Sequence, residues 1–357
     1  MILPAWYGAV SQAPVEIPED WFDAAWSHRN KITIDATKVP GPLTGFPVLV
    51  SSTRAEWRHT SEGGDVGKSD GTDILFTADD GTTKLDHEIQ SYDAATGELI
   101  AWVKVPSISD TVDTELYIYY GNDSAADQQN AAGTWADYEV VLHTESATPP
   151  DSTGNGYDTS AGTGTPDVVA GKIGQALDFK GSDLITLVIA QSFGALFGGG
   201  QDYSVTAWLR FPTGSDFDRK RVFHPRGDHD LTLRTRESPN RIRWEIWDGA
   251  ASTGVGHGVS VETWHHVAVT YESGQQMAMR LDAGAADTAS ATSPVAVTDD
   301  NVFGAIRPNE PTSGVYEGLL GSWRVYPGVL SSDWIETEYA NQDDPASFYT
   351  VAAQEAT

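Results

Sequence analysis

The chain holds 51 Asp and Glu residues, so the first question is whether any two carboxylates are spaced to work as a pair. Retaining glycoside hydrolysis needs two carboxyl groups about 5 to 5.5 Å apart, which on a β-strand means alternate positions facing one side. No Glu-x-Asp-x-Glu or Glu-x-Asp-x-x-Glu occurs. Glu245-Ile-Trp-Asp248 comes nearest and fails on parity, because residues three apart face opposite sides of a strand. The segment His224-Pro-Arg-Gly-Asp-His-Asp230 concentrates two histidines and two aspartates, a set that could hold a divalent ion, although Pro225 and Gly227 mark it first as a turn. Adjacent His265 and His266 point to opposite faces and cannot share one ion. Sugar binding asks for something else: an aromatic face on which a pyranose ring can stack, beside polar groups that bond its hydroxyls. Trp244 and Trp247 face opposite ways on one strand, so one is expected in the core and one at a surface. With Arg226, Asp228 and His257 they make the expected carbohydrate contacts. Trp208, Trp264 and Trp323 stand amid apolar alternation and are expected in the core.

These residues need strands to place them. Glu262-Thr-Trp-His-His-Val-Ala-Val-Thr-Tyr271 predicts a central strand with Val267, Val269 and Tyr271 on one face, entered from a Gly-rich loop holding Gly254, Gly256 and Gly258. Further strands are expected at Tyr138–His143, Ser204–Leu209, Leu231–Arg234, Arg241–Trp247, Gln276–Leu281 and Gly318–Tyr326. Ser331–Tyr339 reads as a short helix capped by Ser331 or Ser332, with Trp334 and Ile335 turned inward. Upstream, six segments with one apolar face each (31–35, 46–50, 73–77, 88–92, 99–105 and 114–120) predict a small antiparallel sandwich. Prolines 4, 14 and 18 hold residues 1–20 out of helix and sheet, an extended arm whose Trp6 and Tyr7 suit a neighbouring surface.

The totals bound the rest. A length of 357 residues suggests two domains; without cysteine there is neither disulfide nor thiolate zinc. The net charge of −29 disfavours nucleic acid. An Asp-rich, Lys-poor surface resembles proteins of salt-loving organisms, where short screening lengths relieve self-repulsion. No stretch approaches the roughly 18 apolar residues of a membrane span. Met1–Val10 lacks a positive n-region, which fits either a protein used without export or one whose signal has been removed.

Together Gly171-Lys-Ile-Gly-Gln-Ala-Leu-Asp-Phe179, Tyr203–Leu209, Glu262–Tyr271 and Leu330–Gln342 resemble, in order and spacing, the laminin-G-like, concanavalin A-like jelly roll. Trp26, Arg29, Ile32–Ile34, Phe46–Val50, Asp73–Thr77, Ala101–Pro106 and Tyr119–Asn122 resemble a domain of unknown function that precedes such jelly rolls. The resemblance implies an all-β chain: arm 1–20, small β-sandwich 21–125, linker 126–137, jelly roll 138–351, tail 352–357. It also implies calcium near Asp151 and Asn155, although Gly321-Ser322 stands where the family commonly has Asp-Glu. The expected protein is a non-enzymatic, homo-oligomeric, adhesive virion component of a virus of a halophilic prokaryote, with other virion proteins and a host-surface glycan as partners. A secreted or cell-surface carbohydrate-binding module is the alternative, and a glycosidase with an unfamiliar site the third reading.

Overall fold

The computed structural model describes residues 19–162, 164–180, 185–187, 197, 200–215, 218–225, 232–236, 240–291, 301–304 and 314–357. The expected arm and the pair Arg226 and Asp228 lie outside the described residues.

Seven strands open the chain: β1 (His28–Ile34), β2 (Leu43–Thr53), β3 (Leu75–Ala78), β4 (Lys84–Leu85), β5 (His87–Asp93), β6 (Glu98–Ile108) and β7 (Thr114–Tyr120). Strands β1, β7, β3 and β4 pair in that order, and the sheet β2-β6-β5 faces them. Period-two alternation decides what lies between. Leu99, Ala101, Val103 and Val105 of β6 and Leu116, Ile118 and Tyr120 of β7 meet Ile32, Ile34, Val48 and Val50 in one buried core.

The jelly roll contributes β8 (Val140–Leu142), β9 (Thr159–Ala161), β10 (Asp167–Ala170), β11 (Gln175–Lys180), β12 (Ile185–Leu187), β13 (Tyr203–Arg210), β14 (Asp218–Pro225) and β15 (Thr232–Arg236). It continues with β16 (Arg241–Trp247), β17 (Ser252–Gly258), β18 (Trp264–Glu272), β19 (Gln276–Leu281), β20 (Asp287–Ser290), β21 (Asn301–Phe303) and β22 (Glu317–Tyr326). An inner sheet runs β10-β11-β22-β13-β18-β19-β20 with β8 on β22, and an outer sheet runs β17-β16-β15-β14-β21-β12-β9. Val267, Val269 and Tyr271 of β18 enter the core between them, with Tyr203, Trp244 and Trp323. Two expectations are corrected here. Gly254, Gly256 and Gly258 belong to strand β17, where their backbone ladders with β16. Trp208 and Trp323 are fully buried, but Trp264 is only half-buried, because it stands at the end of its strand beside the domain boundary.

The second face of the β2-β6-β5 sheet is also apolar, and the jelly roll's inner sheet covers it. Leu49, Ile100 and Trp102 of the first domain pack with Trp135, Tyr138, Val141, Ile173 and Trp208. Within that aromatic layer the Arg324 guanidinium lies 4.0 Å from the Trp102 ring centre and 5.1 Å from that of Trp135. Desolvated stacking of this kind suits arginine. Its Nη1 donates to Glu338 Oε1 at 3.3 Å, which also accepts from Thr206 (2.9 Å) and Gln342 (3.2 Å) and meets His266 Nε2 at 3.4 Å. Burial opposes ionisation of Glu338, but the His266 hydrogen bond and the Arg324 charge outweigh it and hold the carboxyl down at about 2. A second carboxylate, the half-buried Glu88, accepts from Ser152 at 2.7 Å and from Trp135 and meets His143 at 3.0 Å, so the first domain is tied to the second by hydrogen bonds at Glu88 and by the Arg324–Trp102 stack beside Glu338.

The chain's end returns to its beginning. The helix Ser332–Asp343 is capped by Ser331, whose side chain accepts from Trp334 N, and it buries Ile335. Its Asn341 accepts from Leu49 N at 2.7 Å and donates to Leu49 O at 3.0 Å; the Tyr349 hydroxyl does the same for Ser51, at 2.8 and 2.9 Å. Leu49 and Ser51 lie on the outer edge of β2, and these side chains satisfy groups that an edge strand would otherwise present. After a one-turn helix, Pro345–Phe348, the last strands β23 (Tyr349–Val351) and β24 (Glu355–Ala356) pair with β1. The expected boundary at residue 351 and the expected tail 352–357 are therefore corrected. These residues complete the first domain's sheet, with Phe348 and Tyr349 in its core.

Candidate functional site

The sequence of β16 alternates cleanly. Ile242, Trp244 and Ile246 are buried in the jelly-roll core, and Arg241, Arg243, Glu245 and Trp247 take the other face. Opposite them β17 offers almost nothing: Arg241 pairs with Gly258, Arg243 with Gly256, Glu245 with Gly254 and Trp247 with Ser252. Gly254 and Gly256 are required. A Cβ on Gly254 would stand 2.6 Å from Glu245 Cγ and 2.8 Å from Arg243 Nε, and one on Gly256 would stand 2.3 Å from Ile242 O. The β16 side chains fold flat across this bare strand. Arg241 donates to Gly256 O at 2.6 Å and Arg243 to Gly254 O at 3.3 Å, while Arg243 Nη1 pairs with Glu245 at 3.3 Å. Asp287 of β20 accepts from Gly256 N at 2.8 Å and pairs with Arg241 at 3.4 Å, closing the β17 edge.

The result is a shallow face with two guanidinium groups, one buried carboxylate and a half-buried indole at its end. Four residues of strand separate Arg243 from Trp247, a span of ~13 Å that suits a short run of sugar rings. Planar donors, an acceptor and an aromatic face are the groups that orient a carbohydrate. Trp244, by contrast, is fully buried and donates to Tyr203 OH at 3.3 Å, which removes it from any surface. His257 is also spent elsewhere. It lies on the core side of β17, opposite Ile242, and its Nε2 meets Met279 O of the other sheet at 2.9 Å, tying the sandwich's margin. Arg241, Arg243, Glu245 and Asp287 were missed. The available signal was the pairing of Arg-x-Arg-x-Glu with Gly-x-Gly-x-Gly around the turn Asp248–Ala251, whose Asp248 carboxylate accepts from Ala250 N and Ala251 N, both at 2.8 Å.

The other constellations resolve into structure. Asp248 stands at the hairpin turn and Glu245 on the sheet face, so they form no carboxylate pair. His265 and His266 do face opposite ways, one toward Asp282 and the other toward Glu338. His265 Nδ1 meets Asp282 at 2.7 Å and its Nε2 meets Ser260 Oγ at 3.0 Å, an order of groups that in a hydrolase would activate the hydroxyl. Here Ser260 N also donates to the same ring nitrogen, at 3.2 Å, so that backbone donor is turned away from any oxyanion. Asp282 further accepts from His266 N at 2.8 Å, and the group locks two turns in which Glu262 and Asp282 hold positive φ. Asp151 accepts from Val141 N, Thr153 N, Thr153 Oγ1 and Tyr157 N, and Asn155 donates its amide to Tyr138 O and Glu139 O. A calcium ion needs six to eight oxygens turned toward it, and a carboxylate ringed by donors does not fit that role. Among the described residues no group of three His, Asp or Glu is placed to hold a metal.

Sheet order and core define a lectin-like jelly roll behind a smaller β-sandwich. Residues 70–148 match a domain of unknown function, DUF2341, and residues 185–336 match the concanavalin A-like lectin/glucanases superfamily, Laminin_G_3, in the order expected from the sequence. Among solved structures, the chain is similar to the binding domain of Paraclostridial mosquitocidal protein 1, at 14% identity and TM-score 0.48, with 59% of this chain and 52% of that one covered. It is similar to the binding domain of botulinum neurotoxin serotype D at 15% identity and TM-score 0.48, with 60% and 53% covered. Domain 4 of the GH43 arabinanase AbnA from Geobacillus stearothermophilus, in complex with arabinotriose, is similar at 18% identity and TM-score 0.46, with 57% and 98% covered. The alignments span about half the length of the toxin domains. No curated protein matches. Among the described residues no helix is long and apolar enough to cross a membrane.

Proposed function

We propose that this protein binds carbohydrate without transforming it, through the face of β16 and β17 that carries Arg241, Arg243, Glu245 and Trp247. The single observation behind this reading is the glycine-floored strand, which leaves planar side chains lying flat beside an indole over the bare backbone of β17. The Laminin_G_3 match over that region supports it. The finer reading is an adhesive component of a virus particle of a salt-loving prokaryote, working as a homo-oligomer against a host-surface glycan; it rests on the net charge of −29. Repetition in a particle would raise weak single-site binding by about 10² to 10⁴ through avidity. The alternative, a secreted or cell-surface module, uses the same face.

Trp247→Ala tests the reading. The substitution removes an indole outside the core, so the variant is expected to melt within about 1 kcal/mol of the parent. On an immobilised glycan panel it is expected to lose about tenfold or more in affinity, the worth of one stacked ring. Unchanged binding would remove Trp247 from the site, and sugar release from the panel by the parent protein would replace binding by hydrolysis.

A further inference from the structure

The charge of this chain is distributed very unevenly. Residues 219–243 hold eight Arg and Lys against three Asp and Glu, in a protein whose net charge is −29. That stretch supplies β14, β15 and the start of β16, and the strand register gathers its arginines. Arg243 stands opposite Arg234, and Arg234 opposite Arg221, in one row across three strands. Adjacent strands lie ~4.8 Å apart, and like charges directly opposite one another destabilise a sheet. Arg221 is buried at the inner end of the row, while the Arg241 side chain is 50% and that of Arg243 30% exposed. Glu245 and Asp287 offset part of the charge at β16.

We propose that this face recognises an acidic polysaccharide, one bearing carboxylate or sulfate on its sugar rings; the inference rests on the carbohydrate-binding reading above and names its ligand class. A guanidinium presents paired donors that match a carboxylate or sulfate edge. The exposed guanidinium groups of Arg241 and Arg243 on β16, with Arg234 opposite Arg243 on the next strand, are the part of this row offered to an acid on a sugar ring. Trp247 gives the uncharged side of a ring its stacking surface, which a pure counter-ion site would not need. The flat, glycine-floored geometry favours a polysaccharide over duplex nucleic acid, whose grooves are entered by a protruding helix or ribbon.

Calorimetric titration of the full chain with polygalacturonate, a sulfated galactan and an uncharged galactan, each at 50 and 200 mM salt, tests this. Arg241→Gln with Arg234→Gln is the informative variant, because Arg234 stands opposite Arg243 and both positions leave the buried Glu245 its Arg243 partner. The parent is expected to bind one acidic polymer at least about tenfold more tightly than the neutral one and to lose that margin as salt rises. The variant is expected to bind it about tenfold more weakly, with a shallower salt dependence. Whether the carboxylated or the sulfated polymer is preferred decides between the two acids. Equal binding of the neutral galactan, or an unaffected variant, overturns the acid preference and leaves carbohydrate binding standing. Silence toward all three polymers, with cooperative melting intact, overturns both. Equally tight binding of duplex DNA reduces the face to a counter-ion surface and overturns the commitment to sugar.

Discussion

At the scale of single residues, the interior is marked by ionisable groups that folding holds in one protonation state. Burial pushes His87 down to about 4, outweighing the backbone groups of Leu85 and Ile74 that pull the other way. Its ordinary value is 6.5, so an unfolded chain takes up the proton first. The stability that neutral His87 allows is complete above pH 6.5 and lost as pH falls through about 4, roughly 3 kcal/mol in all. Glu338 is held at about 2 against an ordinary 4.5, so its contribution is present above pH 4.5 and lost as pH falls through about 2. Acid unfolding is therefore expected in two steps, the small sandwich first and the domain interface second. Melting temperature followed from pH 7 to 2 should fall in both windows, and His87→Leu should flatten only the upper one. A parent curve level between pH 7 and 4 would contradict the buried, neutral state of His87. Of these groups the sequence showed only the residue types. Glu338 lies 72 residues from His266 and 14 from Arg324, and no local pattern brings them together.

At the scale of elements, alternation was enough to find most strands, because a half-buried strand has a period that the chain displays directly. It identified β6 by Leu99, Ala101, Val103 and Val105, but it could not show that the opposite face, with Ile100 and Trp102, is buried as well. That burial comes from a second domain, and a one-sided pattern has no signature for it. The two-residue β4 and the short β23 and β24 were illegible for another reason: a strand of two or three residues has no period. At the candidate site alternation puts Trp244 and Trp247 on opposite faces without deciding which is outside; register with β17 decides it. The C-terminal elements carry a direct test. A chain ending at Asp344 loses Phe348 and Tyr349 from the first core and uncovers the edges of β1 and β2. Two large buried side chains at about 3 to 5 kcal/mol each exceed what a domain of this size can spare. The shortened chain should bind a hydrophobic dye and lose the first domain's cooperative transition. A two-domain melt like the parent's would show that the return segment is only decoration.

At the scale of the whole molecule, charge pulls stability and the proposed binding in opposite directions. With a net charge of −29, repulsion among surface carboxylates should relax as the screening length falls from about 10 Å at 0.1 M salt to about 3 Å at 1 M. Melting temperature is expected to rise across that range, and a flat or falling curve would remove the basis for the salt-loving reading. Attraction of an acidic polymer to the arginine row should weaken over the same range. A protein at home in molar salt would then depend more on the ring stacked at Trp247 than on its guanidinium groups.

The pairing of β23 and β24 with β1 has a consequence for the order in which the molecule is made. Strand β1 leaves the ribosome ahead of the whole jelly roll, and its partner Tyr349–Val351 emerges more than three hundred residues later. At 5 to 20 residues per second the wait is roughly 15 to 65 s. During it the β1 edge and the hydrophobic gap meant for Phe348 stay open, whereas the jelly roll is almost fully translated before the first sandwich can close. The usual sequence of domain maturation is thereby reversed. Of these two domains the one that emerges earlier finishes later, and the nascent chain carries an unpaired strand, open to mispairing, until β23 and β24 arrive.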